Sequence, residues 1–449
     1  MSDSFGLEGV RILGTSETYL EIEHDAELTT AVACPTCRTA QFVRHQGTRQ
    51  VITDTPARGK KVRLAIARTR YKCKSCGGTF MQAWPPSIEP TAKATVRLLR
   101  YVEAEGCRHT IKGIARDVGL SETRVEGLVR GLAHRLYHHH RFPTPVVLGM
   151  DDLRLRKRLY TVLTDGATGR AIALVEGGKE SAVVKELNRR KFDRTAVEIF
   201  VSDLGTTNLA VKKRMFPAAL HVADKWHVLK GAQEALSKVI NQEVNRLRKA
   251  GLSAQAKSIV AVKSLLMKGR VDRSGNAIQL QLNLSRLAPI LISLPRIGKA
   301  FWAKIRLHRL YASADAREAI GHGIRFARRA MAKMIKTEFE AVLNRLYRHR
   351  QLVLNYFHAR DPNGNLKHPT TGPTERRNGD IRATWRAGRG IYNLDYLSMR
   401  ALYQPLMMHG EIVLCASCDA VMGPFGKHRL ARPVTDPARA RCPTCPPAP

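Results

Sequence analysis

Two apolar runs in this 449-residue chain end in carboxylates. Val146-Val147-Leu148-Gly149-Met150-Asp151-Asp152 and Val197-Glu198-Ile199-Phe200-Val201-Ser202-Asp203 each read as a buried strand closed by an acid, at the edge where parallel sheets carry their active sites. Alternation puts Val147, Gly149 and Asp151 on one face of the first strand, so a charge there needs a reason. Two acids from neighbouring strand ends can share hard cations, and carboxylates are suitable ligands for magnesium. Phosphodiester chemistry gains from two ions about 4 Å apart, one activating the attacking oxygen and one stabilising the leaving oxygen. A third acid is commonly required. Glu375, in Pro373-Thr374-Glu375-Arg376-Arg377-Asn378, opens a predicted helix flanked by bases. Taken singly, each aspartate is equally an ordinary turn acid after a strand, and Glu375 a plain N-terminal helix charge.

Eight of the nine cysteines form four Cys-x-x-Cys pairs, the pattern of zinc in a reducing compartment rather than of disulfides. Cys34-Pro35-Thr36-Cys37 and Cys73-Lys74-Ser75-Cys76 stand 35 residues apart, with a basic and apolar strand-like run at 62–71 between them. Two tight turns of this kind complete one tetrahedral site, and a zinc ribbon is the expected fold. Cys415-Ala416-Ser417-Cys418 and Cys442-Pro443-Thr444-Cys445 repeat the arrangement across 23 residues of a Pro-rich tail. Four thiolates leave no open position for water, so both expected Zn2+ sites are structural. Cys107 stands alone and reads as a small core residue.

Ile111-Lys112-Gly113-Ile114-Ala115-Arg116-Asp117-Val118, then Gly119-Leu120-Ser121 and Glu122-Thr123-Arg124-Val125, has the form of a helix-turn-helix. Gly119 suits a left-handed helix end, Ser121 a helix cap, and Ala115 a close helix approach. The second helix would present Glu122, Thr123, Arg124 and Arg130 to a DNA groove. An ordinary helical hairpin is the alternative. His138 to His140 read as a solvated helix end rather than a metal site.

The elements that must position these residues follow from composition and periodicity. Residues 1–90 alternate short strand-like runs with turns, and 92–140 have helical periodicity. Phe142-Pro143-Thr144-Pro145 makes a stiff linker, after which strands and helices alternate through 223, the pattern of an α/β unit. Residues 225–356 are almost continuously helical in pattern, a helical insertion with breaks at 269–275 and at Leu294-Pro295. Asp165 reads as a turn residue and Asp361-Pro362-Asn363-Gly364 as a loop. Lys and Arg total 75 against 38 acids, a formal charge of +37 spread through most of the chain, so a polyanion such as nucleic acid is the expected partner. No stretch approaches about 18 uninterrupted apolar residues, and the first ten lack the marks of a signal peptide. A soluble, cytoplasmic protein with no membrane partner is expected.

Asp151-Asp152 followed by bases and Tyr160, Val201-Ser202-Asp203, Ala223-Asp224-Lys225-Trp226-His227-Val228, and Glu375 with Asn378 and Arg389-Gly390 resemble the DDE transposases of the ISL-three insertion-sequence family. The resemblance extends to the zinc ribbon, the helix-turn-helix and the order of the acids, and so covers nearly the whole chain. It implies a multidomain protein: a zinc ribbon domain at 1–90, a helix-turn-helix DNA-binding domain at 91–141 and an RNase H-like α/β catalytic domain at 142–224 and 361–410. A helical insertion at 225–360 interrupts that domain, and a C-terminal zinc-binding tail occupies 411–449. Asp151, Asp203 and Glu375 would hold catalytic Mg2+ or Mn2+, with Asp224 and His227 supporting the site. The implied activity is metal-dependent cleavage at the ends of an insertion sequence, then strand transfer to target DNA. Its partners would be double-stranded terminal inverted repeats, target DNA and a second copy of the chain, as a homodimer or higher homo-oligomer, in a bacterial cytoplasm and on the nucleoid through DNA. Arg376 stands where the family usually has glycine, and Asp380 where a base is more typical. A non-catalytic DNA-binding regulator and a metal-dependent nuclease are the rival readings of the same residues.

Overall fold

The computed structural model describes residues 6–268, 278–360, 369–388, 391, 393–408, 411–415, 421–423, 428–429 and 445. The chain divides into two compact units, Met1–Phe142 with Ile381–Pro449, and Pro143–Asp380.

The first unit is built on strands β1 (Val10–Glu17), β2 (Glu21–Leu28), β3 (Phe42–Ala57), β4 (Lys60–Cys73), β5 (Thr79–Met81), β6 (Ile88–Glu89) and β7 (Ala94–Thr95). Their order is β1-β2-β4-β3-β7-β6, with β5 also on β4. β3 and β4 form a long antiparallel hairpin. Alternation along β4 buries Val62, Leu64 and Ile66, the last two against Val10, Ala26, Ile52 and Ile88, whereas β3 is exposed from Val43 to Val51. Helices α1 (Val96–Gly106), α2 (Ile111–Val118) and α3 (Glu122–His139) follow. A buried aspartate joins the two parts. Asp54, 1% exposed, accepts hydrogen bonds from Thr95 Oγ1 at 2.5 Å and Arg97 Nε at 2.8 Å, while Thr95 caps α1 by accepting from the Leu98 amide.

Between α2 and α3, Gly119 takes the left-handed conformation expected of it (φ 75°), and Ser121 accepts from the Arg124 amide at 3.4 Å. His140 differs from its expected solvated setting. It is fully buried, with its ring edge-on to Phe142 and Tyr403, because those aromatics close over the end of α3. The side chains of His138 and His139 lie outside the described residues. Cys107 is a core residue, 1% exposed, and burial pushes its thiol up to about 12.

In the second unit, β8 (Val147–Leu155), β9 (Arg158–Asp165), β10 (Ala171–Glu176), β11 (Ile199–Ser202) and β12 (Leu220–Ala223) form a mixed sheet in the order β10-β9-β8-β11-β12. β8, β11 and β12 run parallel; β9 and β10 are antiparallel additions. Helices α4 (Glu180–Arg189) and α5 (Thr206–Met215) connect the strands. Beyond β12 come α6 (Lys225–Lys249), α7 (Ser253–Lys268), α8 (Ile278–Ser293), α9 (Pro295–Ala312), α10 (Ala316–Ala330), α11 (Lys336–Arg348) and α12 (Arg350–Leu354). Their apolar faces share one core with the sheet, in which Val147, Val201 and Val222 join Leu236, Phe301, Tyr311 and Phe339. Fully burying one such Leu or Phe side chain contributes roughly 2 kcal/mol.

Helix α13 (Gly372–Ala387) starts in this unit. It lies against β8 at Gly149, where an added Cβ would sit 2.5 Å from Thr374 Oγ1 and 2.7 Å from Thr164 Oγ1. Those two hydroxyls share a buried 2.5 Å hydrogen bond. Gly149→Val is therefore expected to lower stability by about 1–3 kcal/mol through overpacking, read as a fall in the denaturation midpoint, whereas Thr161→Ser on β9 should be far milder.

Candidate functional site

Register sets the acidic residues side by side. Met150 pairs with Ser202 across β8 and β11, and Ser202 with Ala223 across β11 and β12. The next residues are Asp151, Asp203 and Asp224, so three aspartates stand level on neighbouring parallel strands, whose spacing is about 4.8 Å. Asp151 is buried, 8% exposed, and Asp224 more so at 1%.

Helix α13 runs along β8 with a matching step. Thr374 meets Gly149 and Asn378 meets Asp151; four helical residues rise about 6 Å, close to the rise of two strand residues. Asn378 Nδ2 donates to Asp151 Oδ2 at 2.9 Å. Glu375, one residue beyond Thr374, turns toward β12, and its ligand atom falls with those of Asp224 and His227 within 4.8 Å of one another. Neither Asp151 nor Asp203 shares that triangle. Asp203 Oδ1 accepts from the Gly205 amide at 2.8 Å and from Asn208 Nδ2. Asp224 caps α6, accepting from the His227 amide at 3.1 Å, and also accepts from the Thr371 amide at 2.9 Å. His227 Nε2 faces Asp151 Oδ1 at 3.7 Å.

The charges perturb one another as expected for a crowded site. Burial raises the Asp152 carboxyl above its usual range, and the nearby Asp203 and Asp151 raise it further. Burial also raises Glu375, with Asp224 and Asp151 adding to it and His227 and Lys230 opposing. His227 is raised chiefly by Asp151, against the opposing effect of burial.

Besides its place on the Asp151 face, Gly149 carried a second signal in the sequence, because an isolated glycine inside an apolar strand marks close backbone approach. Asn208, which holds Asp203, carried no signal in spacing. Asp165 makes the expected turn, accepting from the Ala167 amide and the Thr168 hydroxyl.

In the first unit, Cys34, Cys37, Cys73 and Cys76 converge as a four-thiolate cluster. Sγ separations of 3.6 Å for Cys34 to Cys76 and 3.5 Å for Cys37 to Cys73 approach the roughly 3.8 Å edge of a tetrahedron with 2.3 Å zinc–sulfur bonds. The two turns are alike. The Cys37 and Thr36 amides lower the Cys34 thiol to about 6, and the Cys76 and Ser75 amides lower Cys73. In the tail, Cys415 Sγ and Cys445 Sγ lie 3.8 Å apart, while Cys418 and Cys442 fall outside the described residues. On α3, Glu122, Thr123 and Arg130 are exposed; Arg130 pairs with Glu126 at 2.7 Å, and Arg124 donates to the Thr91 carbonyl at 2.9 Å. No helix among the described residues is long and apolar enough to cross a membrane.

A family model described as "Transposase", that of the ISL3-type DDE enzymes, matches residues 148–401. A second, described as "zinc-finger of transposase IS204/IS1001/IS1096/IS1165", matches residues 30–76. The class is thus a transposase carrying an N-terminal zinc ribbon and a mixed α/β domain of the catalytic type. With more than half its length matched, the chain belongs to the ISL3 family of DDE transposases. No curated protein matches it.

Two outcomes follow from this geometry. Cys73→Ala is expected to remove one zinc equivalent per chain by metal analysis and to unfold the ribbon around β5. The raised values of His227, Glu375 and Asp152 all favour the protonated form in the folded protein. Their stabilisation is complete below the unfolded values, near 4 for the carboxyls and 6.5 for imidazole, and is lost as pH rises through the folded ones. Metal-free protein should therefore lose thermal stability from about pH 4 to just above the ordinary imidazole value. Asp151→Asn should shrink the upper part of that decline, measured by melting temperature against pH.

Proposed function

We propose that this transposase binds the ends of an insertion sequence, cleaves them and joins them to target DNA, using Asp151, Asp203 and Glu375 to hold two Mg2+ or Mn2+ ions. The observation that carries this reading is the level row of Asp151, Asp203 and Asp224 on three parallel strands, with Glu375 brought against it by α13. The strand order β10-β9-β8-β11-β12, interrupted after β12 by helices, supports an RNase H-like fold. The residues suit the ions by charge, by hardness and by the unmet repulsion among them. When bound, such ions activate the attacking oxygen and stabilise the leaving oxygen.

The chain's own residues do the rest. Asn378 orients Asp151, and the Gly205 amide and Asn208 orient Asp203. In the first step water attacks the end phosphate, its bond to the 3′ oxygen breaks, and a 3′ hydroxyl is released. In the second, that hydroxyl loses its proton and attacks a target phosphate, displacing the target's own 3′ oxygen. One phosphodiester is exchanged for another, so no outside energy source is needed.

We assign end recognition to the zinc ribbon domain, 1–90, and the helix-turn-helix, 91–141, with Glu122, Thr123, Arg124 and Arg130 toward a groove. To the catalytic domain we assign residues 142–224 and 361–410, of which 142 and 381–410 cluster with the first unit. The basic insertion, 225–360, holds phosphates and a second copy, and the tail, 411–449, is a second four-cysteine zinc site made by Cys415, Cys418, Cys442 and Cys445. Bringing two ends together calls for a dimer or higher oligomer. Purified protein incubated with end-containing DNA, target DNA and Mg2+ is expected to yield joined products. Nicks alone would identify a nuclease, and a mobility shift without cutting a regulator. Asp151→Ala and Asp203→Ala should keep end binding while cleavage falls below detection; full cleavage by either variant would sink the assignment.

A further inference from the structure

We propose that Asp224, His227 and Glu375 together hold one divalent ion through two carboxylate oxygens and an imidazole nitrogen, a donor set that selects a first-row transition dication over Mg2+. The proposal rests on the reading of the acidic row as a metal-dependent site and goes beyond it. It makes Asp224 and His227 direct ligands, and gives one ion position a chemical preference of its own.

The three side chains come from two helix starts that the sheet brings together, and their ligand atoms lie within 4.8 Å of one another. Asp224 is nearly inaccessible, and its hydrogen-bond donors are the backbone amides of His227 and Thr371, which hold the carboxylate without neutralising it. Two oxygens nearby are buried without a hydrogen-bond partner among the described residues. One is Thr371 Oγ1, on the residue whose amide holds Asp224; the other is Asn378 Oδ1. Thr371 is 0% exposed and Asn378 2%. Asn378 shares a helix face with Glu375, three residues earlier, and points into the acidic cluster, its Nδ2 on Asp151. An unpaired buried acceptor costs about 1–3 kcal/mol, a penalty that a polar ligand entering beside Asp224 would offset. Mg2+ takes oxygen ligands, whereas imidazole favours transition dications, so His227 tilts the site away from Mg2+. Asp151 Oδ1 faces His227 Nε2 at 3.7 Å; a carboxylate on one ring nitrogen is the support that orients a histidine ligating through the other, here Nδ1.

Mn2+ added to the full-length, zinc-loaded protein tests this directly, because hard Mn2+ does not displace zinc from thiolates. Electron spin-echo spectroscopy should show a nitrogen bonded to Mn2+. His227→Asp, an all-oxygen variant, should abolish that signal, and its Mn2+ over Mg2+ affinity ratio should fall about tenfold or more. Asp224→Asn, which still caps α6, should weaken Mn2+ binding while circular dichroism and zinc content stay unchanged. Mn2+ bound without nitrogen coupling, coupling that survives His227→Asp, or unchanged Mn2+ affinity in Asp224→Asn would each overturn the proposal. Joined DNA products from a protein without the nitrogen signal would overturn this inference alone. A nitrogen signal in a protein that never joins DNA would support it and overturn strand transfer.

Discussion

Like charges forced together are the constraint on which the second unit depends. Asp151, Asp203 and Asp224 stand level on adjacent strands, and α13 adds Glu375. At about 5 Å, two such charges repel by roughly 3 kcal/mol at an effective dielectric near 20. Much of the surrounding structure holds these carboxylates against that repulsion. Backbone amides of Gly205, His227 and Thr371, the side-chain amides of Asn208 and Asn378, and the His227 ring all face them. Burial first, and the neighbouring acids second, raise the carboxyls of Asp152 and Glu375.

A site under that tension needs rigid support, and the close approach at Gly149 supplies it. The buried Thr164–Thr374 hydrogen bond fastens the start of α13 to the sheet. The similar rise of helix and strand then sets Asn378 over Asp151. The helical insertion contributes from the other side, since α6 begins at Asp224 itself and carries His227 in its first turn. The long interruption between β12 and α13 is therefore part of the site's construction as well as a basic surface.

The zinc ribbon solves a related problem with different atoms. Four sulfurs within hydrogen-bonding distance cannot all be thiolates unless a dication compensates them, and the amide-lined turns at Cys34 and Cys73 already favour the charged form. The four ligands lie close together on two turns, so their spacing survives translation into sequence. The ribbon sheet is tied to α1 by buried Asp54, another carboxylate whose cost is met by Thr95 and Arg97.

Local patterns in the sequence determined a good deal: the Cys-x-x-Cys turns, the left-handed Gly119 with the Ser121 cap, the apolar strands ending in Asp151 and Asp203, and the helices after β12. Each is a property of neighbouring residues, governed by turn chemistry, alternation or helical period. The acids' order and surrounding blocks also carried the family, to which the chain belongs. Only the tertiary structure decided which acids meet. Strand register set Asp224 level with Asp203, and the packing of α13 on Gly149 turned Glu375 toward Asp224 and His227, grouping residues up to 151 positions apart. Register and helix placement arise from contacts between distant segments, and no local spacing records them. For the same reason His140, at the end of a polar-looking helix, proved to be buried beneath Phe142 and Tyr403.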